Sequence, residues 1–151
     1  MGYLTSIQTK MWNLKRKGYS QAEISRQMNV TRQTVNKTIN VIDSKITRAL
    51  LEAAQLNRIN VKSVNSQKGF LFGRSTVFDM DILVTFSERN GLQIWYKGEG
   101  GCSNCADADD CRQRLVAEAE ERGITLPDNV RIIKPARIAD LLFKRILEES
   151  Q

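Results

Sequence analysis

The chain has 151 residues, 41% hydrophobic and 26% charged, a composition that suits one ordinary core or two small ones and excludes a largely disordered chain. No stretch approaches the roughly 18 consecutive apolar residues of a membrane helix, and Met-Gly-Tyr-Leu-Thr-Ser lacks the basic and apolar regions of a secretion signal. The expectation is a cytoplasmic protein that does not engage a membrane. Its net charge of +6 is uneven, since residues 1–60 carry +7 and residues 61–151 carry −1. A basic surface draws polyanions by Coulomb attraction and counterion release, so nucleic acid is the first partner to consider. A merely solvated basic face is the plainer alternative.

In chain order, the pattern first predicts a helix over 4–17. Thr5 suits its N-cap, Ile7, Met11 and Leu14 recur on one face, and Gly18 follows as a stop. Ser20-Gln21-Ala22-Glu23 has the form of a capping box, which opens a short helix over 21–28 with Ala22, Ile24 and Met28 as packing positions. Asn29-Val30 makes a tight connection, and Thr31 suits the N-cap of a third helix from Arg32. Two helices so joined match the geometry that sets a recognition helix in the major groove of DNA.

The run Gly18-Tyr19-Ser20-Gln21-Ala22-Glu23-Ile24-Ser25, followed by Val30-Thr31-Arg32-Gln33-Thr34-Val35, resembles the helix-turn-helix of LuxR-type response regulators and of sigma-factor region four. It is also similar to the N-terminal part of archaeal Tfx-type regulators, over about residues 4–55. The resemblance implies that Arg32, Gln33, Asn36, Lys37 and Asn40 face double-stranded DNA. Arg32, Gln33 and Asn36 have groups able to pair with base edges, while Ser20, Thr31, Thr34 and Lys37 suit phosphate oxygens. The plainer alternative is an ordinary polar helix face.

Neither Gly nor Pro interrupts residues 31–58, and Val35, Ile39, Ile42, Ile46, Ala49, Ala53 and Leu56 recur at alternating spacings of four and three. That heptad seam points to a homodimer with two recognition helices one DNA turn apart, or else to packing on the first helix and the C-terminal half. Residues 1–58 are thus expected to form a DNA-binding and dimerisation unit. Residues 59–75 read as a linker or ragged first strand, and 76–151 as an α+β metal-binding or sensor unit.

In that last part Phe78, Met80, Ile82, Val84 and Phe86 alternate with polar residues as one face of a strand. Asn90-Gly91 turns into a second strand through Leu92-Gln93-Ile94-Trp95-Tyr96, so an antiparallel sheet is implied. Asp79 and Asp81 are expected on the outer face, solvated or salt-bridged. The three cysteines follow as Cys102, Cys105 and Cys111, spaced C-x2-C-x5-C before a helix over about 110–122. A reducing compartment and an odd count disfavour disulfides and favour a metal site. With no histidine in the chain, structural zinc would need an Asp, a Glu or a second chain to complete four ligands. A [4Fe–4S] cluster held by three thiolates is the leading expectation, zinc the alternative, and thiol chemistry or plain buried cysteine the remainder. The spacing is similar to a short element of SPASM-type iron–sulfur domains, and Asp107, Asp109 and Asp110 are possible fourth ligands. A last helix from about Pro135 places Ile138, Leu141, Leu142 and Ile146 on one face, and Trp12, Trp95, Tyr96 and Phe143 are expected in the core.

The resulting expectation is an α+β protein: a helix-turn-helix with a long third helix, then a small antiparallel sheet with helices around the cysteines. Its expected function is that of a dimeric transcription regulator, not an enzyme, whose cluster senses redox state or oxygen. One alternative keeps DNA binding, with structural zinc and a small-ligand sensor. Another makes the chain an iron–sulfur enzyme or electron carrier docked on nucleic acid; the lack of histidine, of a Gly-rich phosphate loop and of a C-x3-C-x2-C motif counts against it.

Overall fold

The computed structural model describes residues 3–97 and 105–149. Three helices come first, α1 (Ser6–Arg16), α2 (Gln21–Met28) and α3 (Arg32–Leu56). Four strands follow, β1 (Ile59–Asn65), β2 (Phe70–Ser75), β3 (Asp81–Ser87) and β4 (Gly91–Tyr96), and then α4 (Ala108–Glu121) and α5 (Pro135–Glu149). The strands form one antiparallel sheet in the order β1-β2-β3-β4, which makes the fold α+β. No helix among the described residues is long and apolar enough to cross a membrane.

The sheet lies between two helical layers, and strand alternation distributes its side chains between them. On one face Leu71, Ile82, Val84 and Phe86 join Met11, Trp12, Ile24 and the apolar stripe of α3 in a single cluster. On the other, Phe70, Leu83 and Trp95 join Leu115 of α4 and Ile138, Leu142, Phe143 and Ile146 of α5. Strand β3 is therefore buried on both faces from Ile82 to Ser87, where alternation alone predicted one open face. Thr85 is satisfied inside by the Trp95 indole, whose Nε1 donates to its hydroxyl at 2.8 Å.

Several expectations about packing change, and Phe78 and Tyr96, expected inward, are both exposed. The stripe Val35, Ile39, Ile42, Ile46 and Ala49 is buried within the chain, so the sheet and α1 occupy the seam that the spacing offered to a second copy. Leu56, at the end of that seam, is 83% exposed. On α1 the buried residues are Met11 and Trp12, with Leu4 ahead of the helix, while Ile7 is 66% exposed and belongs to the outer face. Residues 59–75 are neither linker nor single strand but the β1–β2 hairpin, with a bulge between Val61 and Ser63. β1 escaped the pattern because it is an edge strand, exposed from Asn60 to Val64, and shows no alternation.

Candidate nucleic-acid interface and cysteine segment

Local chemistry shapes the α1–α3 unit. Thr5 and Gln8 form a capping box at α1, and Ser20 and Glu23 form another at α2, where the Ser20 hydroxyl accepts from the Glu23 N–H at 3.2 Å. The Glu23 carboxylate accepts in return from the Ser20 N–H at 2.7 Å. Those Ser20 hydrogen bonds hold the Glu23 pKa below its ordinary value, against a smaller opposing effect of burial. A carboxylate whose folded pKa is depressed stabilises above its unfolded pKa, and that contribution is lost as pH falls through the folded one. Glu23→Gln is thus expected to flatten the acid limb of the stability profile at and below about pH 4. Paired urea titrations at pH 7 and pH 3 check this, and an equal loss on acidification in both proteins would remove Glu23 as a cause.

The chain leaves α2 through Asn29, whose φ of 54° and ψ of 49° place it in the left-handed region that asparagine tolerates. Its N–H donates to the Ser25 carbonyl, and Thr31 then caps α3 by accepting from the Thr34 N–H at 3.1 Å. The start of α3 therefore stands clear of the body. Arg32, Gln33, Thr34, Asn36, Lys37 and Asn40 are exposed, while Val35 and Ile39 point inward. Ser20 and Thr31 are exposed at their caps. Among the described residues, no carboxylate pairs with Arg32 or Lys37. Gln21, which is not among the contact candidates read from the sequence, joins this surface. Its Nε2 donates to Asn36 Oδ1 at 3.3 Å, fixing the Asn36 amide from the neighbouring helix. A contact between two helices through residues 15 apart leaves no local signal in a sequence.

In the other helical layer, Cys105 is exposed just ahead of α4, and Cys111 lies in the first turn of that helix, partly buried against the second core. Cys102 lies outside the described residues. Among the described residues no three metal-binding side chains converge, so two of the three proposed thiol ligands are placed and the third is not. Of the candidate fourth ligands, Asp109 pairs with Arg112 at 2.9 Å and Asp110 pairs with Arg114, while the N-cap Asp107 makes no side-chain cap hydrogen bond. Asp79 and Asp81 both pair with Arg74, at 3.1 and 3.0 Å, so the salt-bridged expectation holds, but Asp79 lies in the turn before β3, with φ 50°, and not on a strand face.

The C-terminal end of α4 carries a desolvated polar network. Glu118 is fully buried and pairs with Arg122 at 3.0 Å; it also accepts from the Ser87 hydroxyl at 3.0 Å and the Asn90 amide at 2.8 Å. Arg122 donates in addition to the carbonyls of Gly69, at 3.0 Å, and Lys68. Burial pushes the Arg122 pKa down from the ordinary guanidinium value, and Glu118 opposes it. One residue earlier Glu121 meets Arg16 of α1 at 2.8 Å, with side chains only 8% and 10% exposed. The fold is thus an α+β sandwich in which one helical layer presents an uncovered cationic helix start and the other begins at the cysteine segment. No protein-family model matches this chain, and neither a curated protein nor a solved structure matches it.

Proposed function

We propose that this chain binds double-stranded DNA with the start of α3 and acts as a transcription regulator. What carries this is the bare cationic end of a well-capped helix: Arg32 and Lys37 are exposed without carboxylate partners, flanked by the amides of Gln33, Asn36 and Asn40. Guanidinium and amide groups suit base edges, and Lys37 with the Ser20, Thr31 and Thr34 hydroxyls suits the phosphates on either side. Any dimer uses a surface other than the α3 stripe, which lies inside the molecule.

Gel-shift titrations of duplex DNA at several salt concentrations test this. The native chain is expected to bind with affinity that falls steeply with salt, and Arg32→Ala with Lys37→Ala to abolish specific binding at physiological salt. Equal affinity in the double variant would move the interface elsewhere. The folded spectrum should be unchanged, because neither side chain supports the core.

In the same proposal Cys102, Cys105 and Cys111 hold a metal centre that modulates binding, a [4Fe–4S] cluster ahead of zinc. The supporting features are the tight thiol spacing, the exposure of Cys105 and the position of Cys111 one turn into α4. A bound cluster would supply redox chemistry; the chain's own part is to present thiolates at the head of a helix that reaches the other layer. Anaerobic preparation followed by iron, sulfide and zinc analysis is the test. Stoichiometric zinc without iron would replace the cluster and leave the DNA-binding proposal intact.

A further inference from the structure

We propose that α4 carries a change at the cysteine segment to the DNA-binding helices, with the Arg16–Glu121 ion pair as its joint. The consequence for DNA rests on the function proposed above, although the joint itself does not. At its N-terminal end α4 holds Cys111, which borders the same groove as Trp95 and Phe143. Its 14 residues span about 21 Å. At its other end Glu121 pairs with Arg16 and also accepts from the backbone N–H groups of Glu88, at 2.7 Å, and Arg89, at 3.2 Å. Arg16 lies over the Trp12 ring, 3.8 Å from its centroid, and Trp12 is a core side chain of the DNA-binding layer, edge-on to Phe86.

The sheet separates the two layers, and among the described residues Arg16–Glu121 is the one ion pair that joins α1–α3 to α4–α5. Such a pair, with both side chains about nine-tenths buried, resists separation because each charge would be left desolvated and alone. A shift or tilt of α4 at its cysteine end therefore pulls Arg16, and with it the indole of Trp12. The remaining polar contacts of the α4 end, from Glu118, Glu120 and Arg122, reach the strand turns, one of which, at Gly69, packs on Trp12; Arg16–Glu121 is the direct tie to a helix of the other layer.

The chain contains two tryptophans, Trp12 beside the joint and Trp95 near Cys111, so 5-fluorotryptophan gives one fluorine signal at each end. The full chain is treated with N-ethylmaleimide until mass mapping shows adducts at Cys105 and Cys111. Both fluorine resonances are expected to shift in the native chain. In Arg16→Gln/Glu121→Gln, which removes both charges and keeps amide hydrogen bonding, the Trp95 shift should persist and the Trp12 shift should fall to less than about half. Glu121→Gln alone serves the same comparison should the double variant not fold. Alkylation should also change duplex affinity of the native chain at least about fivefold and that of the variant less than about twofold. A Trp12 resonance that stays put in the alkylated native chain, or keeps about half or more of its shift in the variant, overturns the proposal. Because the fluorine readout needs no DNA, failure of the untreated chain to bind duplex overturns the function proposed above and leaves the joint to be judged by Trp12.

Discussion

Glu118→Ala is expected to destabilise the fold by about 3–5 kcal/mol, a large part of the roughly 5–15 kcal/mol that holds a domain together. Glu118 has no solvent exposure, and Arg122, its partner at 3.0 Å, has a side chain only 6% exposed. Truncation strips the guanidinium of its countercharge and orphans the Ser87 hydroxyl and the Asn90 amide, both of which donate to Glu118. The carbonyls of Lys68 and Gly69 still accept from Arg122, but they carry no net charge to offset its desolvation. In urea unfolding the midpoint should fall with little change in slope. Glu118→Leu with Arg122→Met removes both charges together and should cost much less, because a buried pair is close to neutral against apolar residues of similar size. A single variant with a native midpoint would show that water reaches Arg122.

Gly69→Ala should destabilise by about 2–5 kcal/mol, the sum of about 1–2 for a side chain in the left-handed region and about 1–3 for overpacking. Gly69 has φ +70°, and an added Cβ would lie 2.6 Å from the Phe86 carbonyl oxygen and 2.9 Å from Trp12 Cζ2. The backbone cannot step aside easily, since its N–H donates to Asn65 O at 2.9 Å and its carbonyl accepts from Phe86 N–H at 2.7 Å. Gly123 isolates the steric part: its φ is +69°, and a Cβ added there would meet nothing within 4 Å. Gly123→Ala is accordingly expected to cost only about 1–2 kcal/mol. Thermal or urea unfolding of the two variants side by side gives the difference directly. Equal losses would mean that the Trp12 side of the core yields to a methyl group.

Much of the candidate interface was legible because its determinants are local. The capping boxes at Thr5 and Ser20 and the Thr31 cap are hydrogen bonds between residues three apart, so the sequence alone locates the starts of α1, α2 and α3. Exposure of Arg32, Gln33, Asn36, Lys37 and Asn40 followed from their phase against Val35 and Ile39. Gln21 did not follow, because its partner Asn36 belongs to another helix. Spacing puts Ile7 on the wrong face because α1 offers two overlapping apolar stripes. The choice fell to Trp12, which fits beside Phe86 and Gly69.

By itself the sequence determined the α+β class, the three N-terminal helices, the uneven charge and the clustering of every cysteine before one helix. These depend on contacts along the chain or on composition, which need no knowledge of the fold. Only the tertiary structure decided what covers the α3 stripe, because a heptad seam reports that an apolar face must be buried without saying against what. The sheet supplies that surface, so Val35, Ile39, Ile42 and Ile46 belong to the core of one chain. The same is true of Glu118, Glu121 and Arg122. Nothing in their local sequence marks them for burial, and they become a buried clamp only because the turns of the sheet and Arg16 of α1 close over them and exclude water.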